Sequence, residues 1–265
     1  MKKLFLFAIL VNFLLVSCAS VLTNVKIEFP DTKSIEFLEG NPDQYIENGP
    51  AQYLLTQEEW RIWKKEIKKI KDPELRSLTK RVFIKWFWQR RNPELKKRFV
   101  ESVIYAEKEF RDERYGSGWY TDRGKILILF GSPDSRNTFT PIMGNYISDT
   151  LNIQNDPTTL AEEWIYNDIT NLLAESRFEL RGLFEVYFRK GTYHGWELAV
   201  KVSPTYSYDP TLGDKLRYDI YVPITQLDSY TTYYYTQLLR AEELIRESYI
   251  VNRDLKFEDV LNKKE

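Results

Sequence analysis

Between Gly116 and Asp134 the chain carries its densest set of turn-forming residues, arranged around an apolar pentapeptide. Gly116-Ser117-Gly118-Trp119-Tyr120-Thr121-Asp122-Arg123-Gly124-Lys125 runs into Ile126-Leu127-Ile128-Leu129-Phe130 and closes with Gly131-Ser132-Pro133-Asp134. Glycine supplies the left-handed conformation at helix C-termini, so Tyr115 to Gly118 is expected to end a helix. Thr121-Asp122-Arg123-Gly124 has turn chemistry, with Asp accepting from local backbone and Gly allowing positive φ. Ile126 to Phe130 is apolar on both faces and predicts a strand buried on both sides, with helices on one of them. The sequence reads as helices before this stretch and as strands after it. The expected fold is therefore α+β: an N-terminal helical layer packed on a mostly antiparallel sheet, with a C-terminal helix.

Three helix starts are legible upstream. Thr56-Gln57-Glu58-Glu59 has the capping-box pattern, and Trp60, Trp63, Ile67 and Ile70 then recur at helical spacing. Asp72-Pro73-Glu74 and Asn92-Pro93-Glu94 each place a capping residue before a proline that needs no N–H. Leu75, Leu78, Val82, Phe83 and Trp86 form the apolar stripe of the second helix; Leu95, Phe99, Val103 and Phe110 form that of the third. Lys64, Lys65, Lys68, Lys69 and Lys71 make a basic run on the first, read as a solvated face or a contact with anionic headgroups.

Downstream, residues 135–162 carry Pro141, Gly144 and Pro157 with no sustained period and read as a long loop. Strands are expected at Trp164-Ile165-Tyr166, Leu183 to Phe188, Trp196 to Val202 and Arg217 to Val222. Arg189 to Gly195 is expected to be a hairpin loop, and Pro223 to end the last strand. Tyr230, Tyr233, Tyr234 and Tyr235 lead into an amphipathic helix through Leu238, Leu239, Leu244 and Ile245. Phe257, Val260 and Leu261 follow at helical spacing. The 18 Tyr, 15 Phe and 7 Trp among 265 residues predict an aromatic core.

Net charge is −1 with the signs interspersed, which is no footprint for nucleic acid. His194 is the only histidine and Cys18 the only cysteine, so the usual zinc sites and Cys-His catalysis have no ligand set. No Gly-x-Ser-x-Gly elbow, P-loop or dinucleotide fingerprint occurs. Neither a metal nor a cofactor is expected.

The N-terminus has the order of a secretory signal: Met1-Lys2-Lys3, then apolar Leu4 to Val16, then Ser17-Cys18. A thirteen-residue apolar run spans only about 20 Å as a helix, short of a bilayer core of roughly 30 Å. Leu15-Val16-Ser17-Cys18 resembles the lipobox of bacterial lipoproteins. That resemblance implies residues 1–17 as a removed signal, acylation of Cys18, and residues 18–55 as a tether partly ordered against the domain. Two or three acyl chains would give stable membrane anchoring. Ala19 in place of Asp, and no acidic cluster after Cys18, point to the outer membrane with the chain facing the periplasm. Val25 to Phe29 alternates and is expected as one short strand within the tether.

Gly118-Trp119-Tyr120-Thr121-Asp122 resembles the signature of the GWxTD domain family. Phe87-Trp88-Gln89-Arg90-Arg91-Asn92-Pro93 upstream, Asp122-Arg123-Gly124 and Gly131-Ser132-Pro133-Asp134 downstream, and Trp164-Ile165-Tyr166 follow the family in order and spacing. Arg91-Asn92 departs from the commoner Arg-Asp. The resemblance covers residues 56–202, leaving 203–265 as a strand-and-helix extension packed on that domain. It implies an exported bacterial protein, often a lipoprotein, and no established activity.

Within the motif, Trp119 is expected to plug the junction, Asp122 to cap a turn or helix, Arg123 to pair with a carboxylate such as Asp122 or Asp134, and Asp134 to serve a turn. The leading functional expectation is a non-catalytic interaction or scaffold module that binds an envelope protein or cell-wall material. The alternative is a carboxylate-dependent hydrolase of envelope glycans. It requires Asp122, Asp134 or Glu163 to converge in an open cleft.

Overall fold

In a computed structural model, residues 41–111, 116–139, 158–176, 182–191, 195–202, 207–208, 215–216, 220–224 and 229–262 are described. The signal and lipobox with Cys18, the strand expected at Val25–Phe29, and His194 lie outside them.

The first described residues are already part of the core. Asn41 caps α1 (Pro42–Tyr45), and a 3-10 turn follows at Pro50–Leu54. Tyr45, Ile46, Ala51 and Leu54 are fully buried. The expected capping box forms as written: the Thr56 hydroxyl accepts from the Glu59 amide at 3.3 Å, and the Glu59 carboxylate accepts from the Thr56 amide at 2.9 Å. It opens α2 (Gln57–Arg61), which widens into a π turn at Ile62–Glu66 and tightens to a 3-10 turn at Ile67–Lys69.

Asp72 and Asn92 cap α3 (Pro73–Gln89) and α4 (Pro93–Glu109), each side chain accepting from the amide two residues on. α2 and α3 form an antiparallel hairpin. Trp63 meets Phe83 with ring centroids 5.2 Å apart, and Arg76 closes the tip by donating to the carbonyls of Ile70 and Lys71. Leu75 and Leu78, expected on the buried stripe of α3, are instead half exposed; Phe83, Trp86 and Phe87 carry the burial. Trp63 and Phe257 pack on Phe83, further along α3 than Leu75 and Leu78.

The largest difference from expectation lies in the pentapeptide. Ile126 to Phe130 is not a strand: it completes α5 (Asp122–Phe130). An element buried on every side has no polar face, so a short apolar run reads alike as buried strand or buried helix. All five residues are at most 4% exposed. The deciding signals flank the run. Thr121 is an N-cap, its hydroxyl accepting from the Gly124 amide at 3.1 Å, with Asp122 in the first turn. Gly131 ends the helix at φ 84°, its amide donating to Leu127. What looked like a turn is a helix start.

The upstream glycines also act differently. α4 ends at Glu109 with Phe110 as C-cap, so neither Gly116 nor Gly118 terminates it.

The sheet follows: β1 (Ser135–Phe139), β2 (Thr158–Tyr166), β3 (Phe184–Gly191), β4 (Trp196–Val202) and β7 (Ile220–Pro223), in the order β1-β2-β3-β4-β7 and antiparallel throughout. β5 (Ser207–Tyr208) and β6 (Lys215–Leu216) form a separate two-residue ladder. Strands therefore occupy both ends of the region expected to be a loop. Ser135-Arg136-Asn137-Thr138-Phe139 is polar enough to hide the alternation that marks a half-buried strand. Part of the expected hairpin loop is strand as well, since Arg189 and Lys190 pair with Glu197 and Trp196.

One face of the sheet is the core face. Glu162, Trp164 and Tyr166 on β2, Val186 and Phe188 on β3, and Leu198 and Val200 on β4 are buried towards the helices. α6 (Asn167–Glu175) follows β2, and α7 (Ser229–Ser248) lays Ala241 and Ile245 into the same core. α8 (Phe257–Leu261) packs Phe257 between Phe83 and Trp86, with centroids 5.9 and 5.5 Å away. The fold is α+β, a helical layer on an antiparallel sheet with a C-terminal helix. Its core is aromatic, as the composition required.

Candidate functional site

Residues 118–124 build a joint between α4, a 3-10 turn at Gly118–Tyr120, α5 and the sheet. Both interior glycines are there for close approach. A Cβ on Gly118 would stand 1.8 Å from the Ala106 carbonyl oxygen of α4, and one on Gly124 would stand 2.1 Å from the Gly118 carbonyl oxygen. The 3-10 turn is thus wedged between two helix backbones. Thr121 links the layers: its hydroxyl donates to the Gly118 carbonyl at 2.7 Å while accepting from Gly124. Trp119 is 5% exposed, against Tyr53 and Tyr120, the plug expected of it.

Beneath the turn lies a residue that sequence reasoning missed. Glu107 of α4 accepts from the Trp119 amide at 3.3 Å. Burial pushes its carboxyl up, opposed by the Trp119 amide, the Arg111 charge and the Gly118 amide. A carboxyl raised in the folded state favours folding most below its unfolded pKa, and that contribution is lost as pH rises through the folded value. Glu107→Gln keeps an acceptor for Trp119 and removes the titration. The urea midpoint of this variant should gain on the wild type as pH rises from 4 to about 8, through and beyond the carboxylate range. A gap that stays constant with pH would contradict this role.

Asp122 points from the first turn of α5 to the sheet, where its Oδ2 accepts from the Leu198 amide at 2.7 Å. β7 pairs with β4 only from Ala199 onward, so Leu198 lies past the end of that ladder and Asp122 takes its donor. Next to it, Arg123 lies between the rings of Phe110 and Trp196, 4.5 Å from each, and its carboxylate partner is the fully buried Glu162 at 3.3 Å. Arg136 of β1 holds the other oxygen of Glu162. Lys125 pairs with buried Glu242 of α7 at 2.7 Å; Glu242 also holds Arg246, which donates to the Tyr53 carbonyl.

The closing Gly131-Ser132-Pro133-Asp134 works in the same way. Tyr166 donates to the Gly131 carbonyl and Tyr249 to the Leu129 carbonyl. Burial raises both phenols, most strongly Tyr166. Asp134 Oδ2 accepts from the Asn167 amide at 2.6 Å, capping α6 from outside its own strand-and-helix unit.

The upstream Phe87 to Pro93 segment forms a second joint. Arg91 makes a bidentate pair with Glu59, both contacts 2.7 Å and both side chains fully buried. It also donates to the carbonyls of Phe87 and Leu54 and lies 3.8 Å over the Phe87 ring. Arg90 adds a 3.4 Å contact to Glu59, and its own carbonyl accepts from the amides of Val251 and Asn252. Partners 32 residues apart leave no trace in sequence spacing.

The three candidate catalytic carboxylates do not share a cleft. Asp122 is bound to the β4 backbone and Asp134 to the start of α6, whereas Glu163 points from β2 to the opposite face of the sheet from Glu162. There Glu163 meets Lys201 at 3.6 Å and Asn137 at 3.4 Å. Among the described residues, no cluster of three His, Cys, Asp or Glu could hold a metal ion, and no helix is long and apolar enough to cross a membrane. No protein-family model matches the chain, and no curated protein or solved structure is significantly similar to it.

Proposed function

We propose that this chain is a GWxTD-type envelope lipoprotein, anchored through Cys18 in the outer membrane and facing the periplasm, that serves as a non-catalytic interaction or scaffold module. The observation that carries the non-catalytic reading is the use of the signature itself. Gly118, Thr121, Asp122, Arg123, Gly124, Gly131 and Asp134 are each engaged in a helix cap, a close backbone approach, a buried ion pair or a helix-to-sheet link. A general acid or base needs reach to a substrate proton, and Asp122 and Asp134 are spent on backbone amides. The anchor rests on the signal-like residues 1–17 and the lipobox-like Leu15 to Cys18.

Four measurements test the reading. Mass spectrometry of the N-terminal peptide from cells should find an acylated Cys18, and Cys18→Ala should release the protein from the membrane fraction. Photo-crosslinking in cells should then capture an envelope protein or cell-wall fragment. Asp122→Asn, which keeps an acceptor for Leu198, should preserve both fold and cellular function. A normally folded Asp122→Asn protein without function would instead favour the glycan hydrolase.

A further inference from the structure

The α2–α3 hairpin concentrates positive charge. Residues 57–85 hold ten Lys or Arg against five Asp or Glu, a net of +5 in a chain whose total is −1. Several of these cations are committed within the fold: Lys68 to Glu47 at 2.7 Å, and Lys80 to Asp43 at 2.6 Å. Lys65, Lys69 and Lys71 are exposed and form no ion pair among the described residues. Beside them, in the first two turns of α3, Leu75 and Leu78 are 50% and 56% exposed, the reverse of what a core stripe would do. Exposed apolar side chains on the same hairpin as exposed lysines suit an interface of anionic headgroups over acyl chains, with Asp72 and Glu74 the acidic residues beside them.

The chain also enters the domain at this tip. Asn41, Pro42 and Asp43 line one open hollow of about 600 Å³ together with Pro73, Arg76 and Ser77 of α3. Only 22 residues separate Cys18 from Asn41. A chain of that length reaches at most about 75 Å even when fully extended. A lipid on Cys18 would therefore keep the tip within that distance of the bilayer and make the surface contact intramolecular, so that a weak contact is sufficient.

We propose that the hairpin tip, through Lys65, Lys69, Lys71, Leu75 and Leu78, docks on the anionic phospholipid surface to which the chain is tethered, and so fixes the orientation of the domain. This rests on the proposed anchor, but it is tested without relying on cellular acylation. The full chain is coupled through its single thiol, Cys18, to a maleimide lipid in vesicles of phosphatidylcholine with or without phosphatidylglycerol. Lysine acetylation by a water-soluble reagent is then mapped by mass spectrometry. Lys65, Lys69 and Lys71 should react several-fold more slowly on phosphatidylglycerol vesicles than on phosphatidylcholine alone. Lys97, exposed near the start of α4 at the far end of α3, should not change. Leu75→Gln with Leu78→Gln, at exposed positions the core does not need, should remove most of the protection. Equal rates on the two vesicles, or protection of Lys97 as well, would overturn the proposal. So would protection in concentrated solution without vesicles, which would assign the face to a second copy of the chain. Failure to find acylated Cys18 in cells would remove the anchor while leaving this measurement intact.

Discussion

Arg91→Met should destabilise the protein by about 3–5 kcal/mol, measured as the loss in free energy of unfolding by urea. The size follows from what remains after the change: Glu59, fully buried, loses both bidentate contacts and among the described residues keeps the Thr56 amide and the 3.4 Å contact to Arg90. The carbonyls of Leu54 and Phe87 lose a donor as well. Arg91→Lys should recover little, because an ammonium cannot reproduce the planar fork that meets both oxygens. Adding Glu59→Gln to Arg91→Met should restore part of the loss, since a neutral amide is less costly to bury and still accepts from Thr56. If the double variant were less stable than Arg91→Met alone, an uncompensated buried charge could not be the cause.

Gly124→Ala should be as disruptive, for a steric reason. Its Cβ would lie 2.1 Å from the Gly118 carbonyl oxygen and 2.7 Å from the Trp119 Cα, and neither is the movable end of a side chain. Overpacking of a core typically costs about 1–3 kcal/mol, and backbone that cannot give way places this site at or above the upper end. Gly118→Ala meets the Ala106 carbonyl at 1.8 Å and should behave alike. Gly116→Ala is the control for space: its added Cβ meets nothing within 4 Å among the described residues, and the positive φ of 74° opposes it. Thermal unfolding of the three variants should therefore give two large losses and one smaller one. Comparable losses at all three would show that backbone dihedral, and not the wedge, sets the requirement for glycine.

Much of this architecture was legible because it is local. Thr56, Asp72 and Asn92 each announce a helix within four residues, and the structure realises all three caps. The strands at Trp164, Phe184 and Trp196 carry enough aromatic and β-branched residues to be read directly. What misled was the burial of α5 on every side, which erases the periodicity by which helix and strand are told apart. Thr121 and Gly131 held the answer, nine residues of helix between a cap and a left-handed stop. The motif residues Trp119, Arg123 and Lys125 were visible, but not their partners. Glu107, Glu162 and Glu242 are unremarkable in sequence, and only the fold brings them to Trp119, Arg123 and Lys125.

The attachment of residues 249–257 to the N-terminal helices bears on the order in which the chain can assemble. Trp86 donates its indole N–H to the Leu255 carbonyl, Phe257 completes the ring cluster around Phe83, and the Arg90 carbonyl waits for the amides of Val251 and Asn252. The Trp86–Leu255 bond closes a loop of 169 residues. Contacts of such sequence separation form only after the intervening chain is available and its closure entropy has been met. A nascent chain stopped short of Phe257 would expose Trp86 and Phe83. The helices that come first from the ribosome are therefore finished last, by the final dozen described residues.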